Sequence, residues 1–152
     1  MSSASQATGT PCGKFTCEQQ TANDAFTKLT WQRAVPDTYA GCSAVDQSDR
    51  YNRRDPPRSA CTWEEANGYC ARLALASGGW RLPSKNELLS IVDRDRPAPT
   101  LDVAVFPNTR PQAYWTSSMD GVAAGFAWYV DFGNGNPSTS NTETGFPVRC
   151  VR

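Results

Sequence analysis

Apolar residues recur at helical spacing in two short runs that are separated by a glycine turn. In the first run, Trp63, Ala66, Tyr69, Cys70 and Leu73 share a face, leaving Glu64, Glu65, Asn67 and Arg72 for solvent. Thr62 and Glu65 form a capping-box pair at its start: the hydroxyl takes an orphan helix N–H and the carboxylate reaches back to the cap. Ser84 and Glu87 repeat the device for a second helix, with Leu88, Leu89, Ile91 and Val92 as its buried side. Gly78-Gly79 stops the first helix, and Trp80 to Pro83 runs extended because the residue before a proline is driven out of the helical region.

Elsewhere the period is two, or there is none. Phe26 to Trp31 alternates and predicts a first strand near 26–33. Residues 34–60 are rich in Pro, Gly, Asp, Arg and Ser and predict a long irregular excursion. Residues 93–112 contain four prolines (Pro97, Pro99, Pro107, Pro111), which excludes regular structure there. Strands return at 113–118 and at 126–132, where Phe126, Trp128, Val130 and Phe132 oppose Ala127, Tyr129 and Asp131. Gly133-Asn-Gly-Asn136 is hairpin-turn chemistry, 137–144 a polar strand or loop, and 146–151 a last strand. The order strand, helix, helix, antiparallel strands predicts an α+β domain in which the first and last strands pair. Residues 1–11, small and polar, are expected to be a disordered leader or linker, and 12–152 one domain.

Charge excludes some partners. Fifteen basic and fifteen acidic residues cancel, so no global field draws the chain to nucleic acid or an anionic membrane. No apolar run approaches the roughly 20 residues of a membrane-spanning helix. The opening MSSASQATGT lacks a signal-peptide pattern, so an exported protein would have lost its signal already. Export is nonetheless favoured by six cysteines, Cys12, Cys17, Cys42, Cys61, Cys70 and Cys150. Histidine and C-x-x-C pairs are absent, which sets three disulfides ahead of zinc or free thiols. Proximity in sequence suggests Cys12–Cys17 and Cys42–Cys61, although six cysteines permit 15 connectivities.

The segments LTWQR (29–33), TWEEANGYC (62–70), GGWRLPSKNEL (78–88), FPN (106–108), YWTSS (114–118), AWYVDFGNG (127–135) and VRCVR (148–152) follow one another in an order similar to that of the DUF1566 family. That family includes the C-terminal domain of a Legionella collagen-like adhesin, and the likeness runs from about Asn23 to Arg152. It implies a C-type lectin-like fold, two helices packed on a twisted antiparallel sheet with long irregular loops, braced by disulfides. It also implies a Cys70–Cys150 bridge from the first helix to the last strand.

Catalysis is not expected. Without histidine there is no Ser-His or Cys-His pair, and no spacing couples Asp93, Asp95, Asp102, Asp120 or Asp131 into an acid and base. Sulfatase-modifying relatives use two active-site cysteines that bind copper, whereas the matching region here offers only Cys150. A catalyst of that kind is the alternative from another class; a structural cap that trimerises a fibre tip is a third. No cofactor is expected. The one candidate is calcium, for which Asp120, Asn134, Asn136, Asn141 and Glu143 supply oxygens without the EPN, QPD or WND motifs of sugar-binding C-type lectins.

The expected ligand surface is the polar hairpin 133–145 with loops 93–112 and 118–125, and its residues are Tyr129, Asp131, Asn134, Asn136, Ser138, Ser140, Asn141 and Glu143. Trp115, Trp128 and Tyr129 could add a stacking platform, but Trp63, Trp80, Trp115 and Trp128 are expected in the core, with Tyr129 the exposed aromatic. The basic cluster Arg50, Arg53, Arg54 and Arg58 is diluted by Asp49 and Asp55 and reads as solvated loop. The resemblance implies a secreted or surface-displayed bacterial adhesin-like domain, a homotrimer, that recognises a glycan or a surface protein of another cell. The adhesin's sulfated polysaccharides fit poorly with balanced charge and an interrupted arginine cluster.

Overall fold

A computed structural model describes residues 9–152. The expected leader therefore lies outside the described residues up to residue 8. Thr10 and Pro11, which the leader was expected to include, already form a strand. β1 (Thr10–Cys12), β2 (Phe15–Cys17), β3 (Thr21–Asp24) and β4 (Thr30–Gln32) make an antiparallel meander. The Cys12–Cys17 bridge closes its first hairpin. The strand expected at 26–33 is only Thr30–Gln32, because Asp24 Oδ1 accepts the Phe26 N–H at 2.9 Å and Lys28 takes a φ of 64°. That turn leaves Phe26 95% exposed.

Residues 34–60 are more ordered than expected. β5 (Ala44–Val45) and β6 (Ser59–Ala60) pair, with α1 (Gln47–Tyr51) between them. Asp46 caps α1 by accepting the Ser48 and Asp49 N–H groups. α2 (Trp63–Arg72) and α3 (Lys85–Leu89) carry both expected capping boxes. β7 (Ala113–Met119), β8 (Phe126–Asp131) and β9 (Asn136–Asn141) form a third antiparallel sheet. The domain is thus mixed α and β, with three helices and three sheets among the described residues, where two helices on one sheet were expected.

One segment explains why the sheets stay separate yet cohere. The expected last strand, 146–151, forms no ladder: it makes isolated bridges to Cys61, Trp31 and Arg81. Thr30 N–H donates to the Arg152 carbonyl at 2.7 Å, and Gln32 N–H to that of Cys150 at 3.1 Å, so the first and last extended segments do meet. Pro147 has no N–H to extend a ladder, but its carbonyl accepts from Trp115 at 3.3 Å. Every residue from Phe146 to Val151 is buried. The segment is a spine that reaches the first sheet at Trp31, the third at Trp115 and the end of β6 at Cys61. Cys70–Cys150 ties it to α2, and Cys42–Cys61 ties the 34–60 excursion to Cys61, its bridge partner.

Trp31, Trp115, Tyr39, Tyr114, Phe106, Phe132 and Leu88 are fully buried around this spine. Phe106 takes edge contacts from Phe15 and Trp31, which is how the proline-rich loop joins the core. Arg149 is fully buried as well: its guanidinium donates to the Gln32 and Arg33 carbonyls and to Thr109 Oγ1, and lies over the Phe106 ring. Trp80 and Trp115 sit in the core as expected, whereas Trp63 and Trp128 are only half-buried. Trp63 keeps its ring N–H on the Thr116 carbonyl at 2.9 Å, and Lys85 caps the Trp128 ring at 4.2 Å. The alternation of β8 sets its faces correctly, but neither is purely exterior. Lys85 at the start of α3 covers the Trp128 side, and Phe146 covers the Tyr129 side.

Candidate functional site

The Tyr129 side of the third sheet opens into a cleft against α1. Register fixes which residues share that side: Ala113 pairs with Asp131, Trp115 with Tyr129, Tyr129 with Ser138, and Asp131 with Asn136. Ala113 and Phe146 make an apolar floor, and Tyr129, Asp131, Ser140 and Thr144 one wall. Gln47, Ser48, Tyr51 and Asn52 make the other, because positions one helical turn apart face the same way. The volume is about 450 Å³.

Buried ion pairs hold the α1 wall in place. Asp46, fully buried, accepts from Arg110 Nη1 at 2.9 Å. Burial pushes the Asp46 carboxyl above its usual range, against the pull of that guanidinium. Asp49 accepts two bonds from the Arg58 guanidinium, both at 2.8 Å, which hold it well below the usual carboxylate range. The Gln47 N–H donates to the Gly145 carbonyl at 2.9 Å, tying α1 to the end of the β9 hairpin. A Cβ on Gly145 would run into the Val45 carbonyl, so this junction requires glycine.

The eight residues expected to bind ligand divide into groups. Tyr129, Asp131 and Ser140 line the cleft. Asn136 and Ser138 share its side of the sheet and are exposed beside it. Asn134, Asn141 and Glu143 belong to turns: Asn134 Oδ1 accepts the Asn136 N–H, and Asn141 Oδ1 the Glu143 N–H, each within 2.9 Å. Those two turns flank a six-residue strand and stand roughly 17 Å apart at the usual rise per residue, so one small ligand does not bridge them. Tyr129, expected to be exposed, is half-buried with its ring centre 5.0 Å from that of Phe146.

The residues that sequence reasoning missed are those of α1. Its signal was present as Asp46 two residues before Ser48, but one helical turn has too few apolar positions to show a period. The oxygens considered for calcium are divided. Asp120, Asn141 and Glu143 lie toward one end of the sheet, and Asn134 and Asn136 at the other. Of the aspartates weighed as acid and base, Asp93 and Asp102 are both engaged by Arg96, at 3.0 and 3.3 Å. Cys150, the one cysteine in the C-terminal region weighed for a thiol pair, is bonded to Cys70. In the basic cluster Arg58 and Arg54 turn to Asp49, while Arg50 and Arg53 are exposed.

No helix among the described residues is long and apolar enough to cross a membrane. No curated protein matches the chain significantly. The family model of the Lcl C-terminal domain, however, matches residues 20–152, from the β2–β3 turn to the C-terminus, and the chain belongs to that family.

Proposed function

We propose that this chain is an extracytoplasmic, adhesin-like recognition domain with a lectin-like frame, which binds a glycan or protein on another cell in the cleft between α1 and the third sheet. The observation that carries this reading is the cleft's supply of uncommitted polar groups. Among the described residues the side chains of Gln47, Ser48, Tyr51, Asn52 and Tyr129 spend no polar atom on a protein partner, although Arg110 and Arg58 tie down the α1 wall and the β7–β8–β9 ladder holds the Tyr129 wall. Rigid walls with unused donors and acceptors favour binding, because little side-chain and loop ordering remains to oppose it. Three disulfides suit an oxidising location outside the cytoplasm. Binding rather than catalysis fits a cleft whose one carboxylate, Asp131, has no second acid, base or thiol beside it.

The test is adhesion of the fluorescently labelled domain to a panel of bacterial and animal cells by flow cytometry. A Gln47→Ala/Tyr51→Ala variant with unchanged melting temperature should lose most of the signal of the native domain. Full retention by that variant, or no adhesion by the native domain, refutes the reading.

A further inference from the structure

We propose that the occupant of the cleft is an uncharged sugar ring at the end of a glycan, rather than a sulfated or otherwise anionic one. This rests on the cleft being the ligand site and concerns only which chemistry it accepts.

Charge is the first reason. Of the ten residues lining the cleft, only Asp131 carries a formal charge, and it is negative. A sulfate or carboxylate placed there would give up its water without gaining the guanidinium or ammonium that normally repays it. The nearby cations are committed elsewhere: Arg110 is buried on Asp46, Arg58 grips Asp49 with both arms, and Arg54 approaches the same carboxylate at 3.9 Å. Neither Arg50 nor Arg53 lines the cleft.

The second reason is the kind of hydrogen bonding on offer. Gln47 and Asn52 each present an amide that both donates and accepts, and Ser48 adds a hydroxyl. Ser140 Oγ and Thr144 Oγ1 already share a bond at 2.9 Å, which leaves the pair further lone pairs to offer. Asp131 Oδ1 is used by the Gly133 N–H at 2.7 Å, whereas its Oδ2 takes no protein bond among the described residues. A carboxylate oxygen held this way accepts from a sugar hydroxyl, a charge-assisted bond stronger than a neutral one. A mixture of donors and acceptors matches vicinal hydroxyls, each of which is both.

Shape supplies the third. Tyr51 on α1 and Tyr129 on β8 stand on opposite walls over a floor of Ala113 and Phe146. The Phe146 ring fixes Tyr129, and Tyr51 is 85% exposed at the rim. A pyranose has an apolar C–H face and a polar edge, so it satisfies ring faces and amides at once.

The experiment is a mixed neutral and sulfated glycan array, followed by calorimetry on retained glycans, with the native domain and the Tyr51→Ala and Asp131→Asn variants. Both positions contact solvent, and unchanged melting temperatures verify folding. The expected result is retention of neutral glycans, with affinity nearly constant from roughly 0.05 to 0.5 M NaCl because no ion pair is screened. Each variant should weaken binding roughly tenfold. Preferential retention of sulfated glycans, lost in both variants, would overturn the proposed chemistry and leave the cleft as the site. Neutral glycans retained equally by both variants would overturn the cleft as the site, and with it the proposal that a neutral sugar occupies it. Retention of no glycan by a domain that still adheres to cells through Tyr51 would point to a protein ligand, again overturning the chemistry alone.

Discussion

The three disulfides close loops of very different length, and this difference ranks their contributions to stability. Cys70–Cys150 spans 80 residues, Cys42–Cys61 spans 19, and Cys12–Cys17 spans 5. In the chain-entropy treatment a crosslink stabilises by restricting the unfolded chain, with a dependence on the logarithm of loop length, which gives about 4.5, 3 and 2 kcal/mol respectively. Packing reinforces the order. Cys70 and Cys150 have no solvent exposure, so replacing both with alanine also removes contacts at the join between α2 and the spine. The Cys12–Cys17 hairpin lies at the edge of the first sheet, where Cys12 is half-buried and fewer contacts depend on it. The assay is guanidinium unfolding of three double Cys→Ala variants at one temperature, with the slope of each transition compared with that of the native domain. The Cys70→Ala/Cys150→Ala protein should lose about 4 kcal/mol or more, a large share of the roughly 5–15 kcal/mol by which ordinary domains are stable. If it loses less than about 1 kcal/mol, or less than the Cys12→Ala/Cys17→Ala protein, loop closure does not control the stability of this fold and the spine is held by something else.

Two further outcomes follow from the ion pairs. Arg110→Met strands a buried carboxylate and should cost about 3–5 kcal/mol by denaturant titration. Because burial raises the Asp46 value in the folded state, the contribution of that group is present at low pH and lost as pH rises through the raised value, so the deficit of Arg110→Met should shrink on acidification. Arg81, by contrast, pulls Glu87 down to about 2. Its stabilisation is complete above the ordinary 4.5 and is lost as pH falls from there through about 2, so Glu87→Gln should flatten the stability profile in that window. The loss at neutral pH should stay below about 1 kcal/mol, since the Arg81 side chain is half exposed and glutamine preserves the capping box.

Local chemistry was legible in the sequence wherever it acts over a few residues. Thr62 with Glu65 and Ser84 with Glu87 located both capped helices, because a cap and its third residue meet inside one turn. The glycine-asparagine turn after β8 and the two short disulfides are local in the same sense. Cys70–Cys150 was anticipated from family likeness, since nothing within 80 residues of intervening chain marks the pair. What the sequence did not reveal depends on distant residues. Segment 146–151 reads as a strand by composition, yet its partners Cys61, Trp31 and Arg81 come from three parts of the chain, and together they make it a spine. Nothing local to Arg149 marks it as buried, yet it donates to Thr109 and to the Gln32 and Arg33 carbonyls, all distant in sequence, in the core. Of the polar residues that line the cleft, Tyr129, Asp131 and Ser140 were visible as polar positions on β8 and β9. Gln47, Ser48, Tyr51 and Asn52 were not, since they sit on α1 and its C-cap, whose placement depends on Arg110 meeting Asp46 across 64 residues. Side-chain type and spacing thus determined the elements, while packing decided which polar groups stayed unpaired around a common space, because burial and partnership are properties of neighbours that only the folded chain brings together.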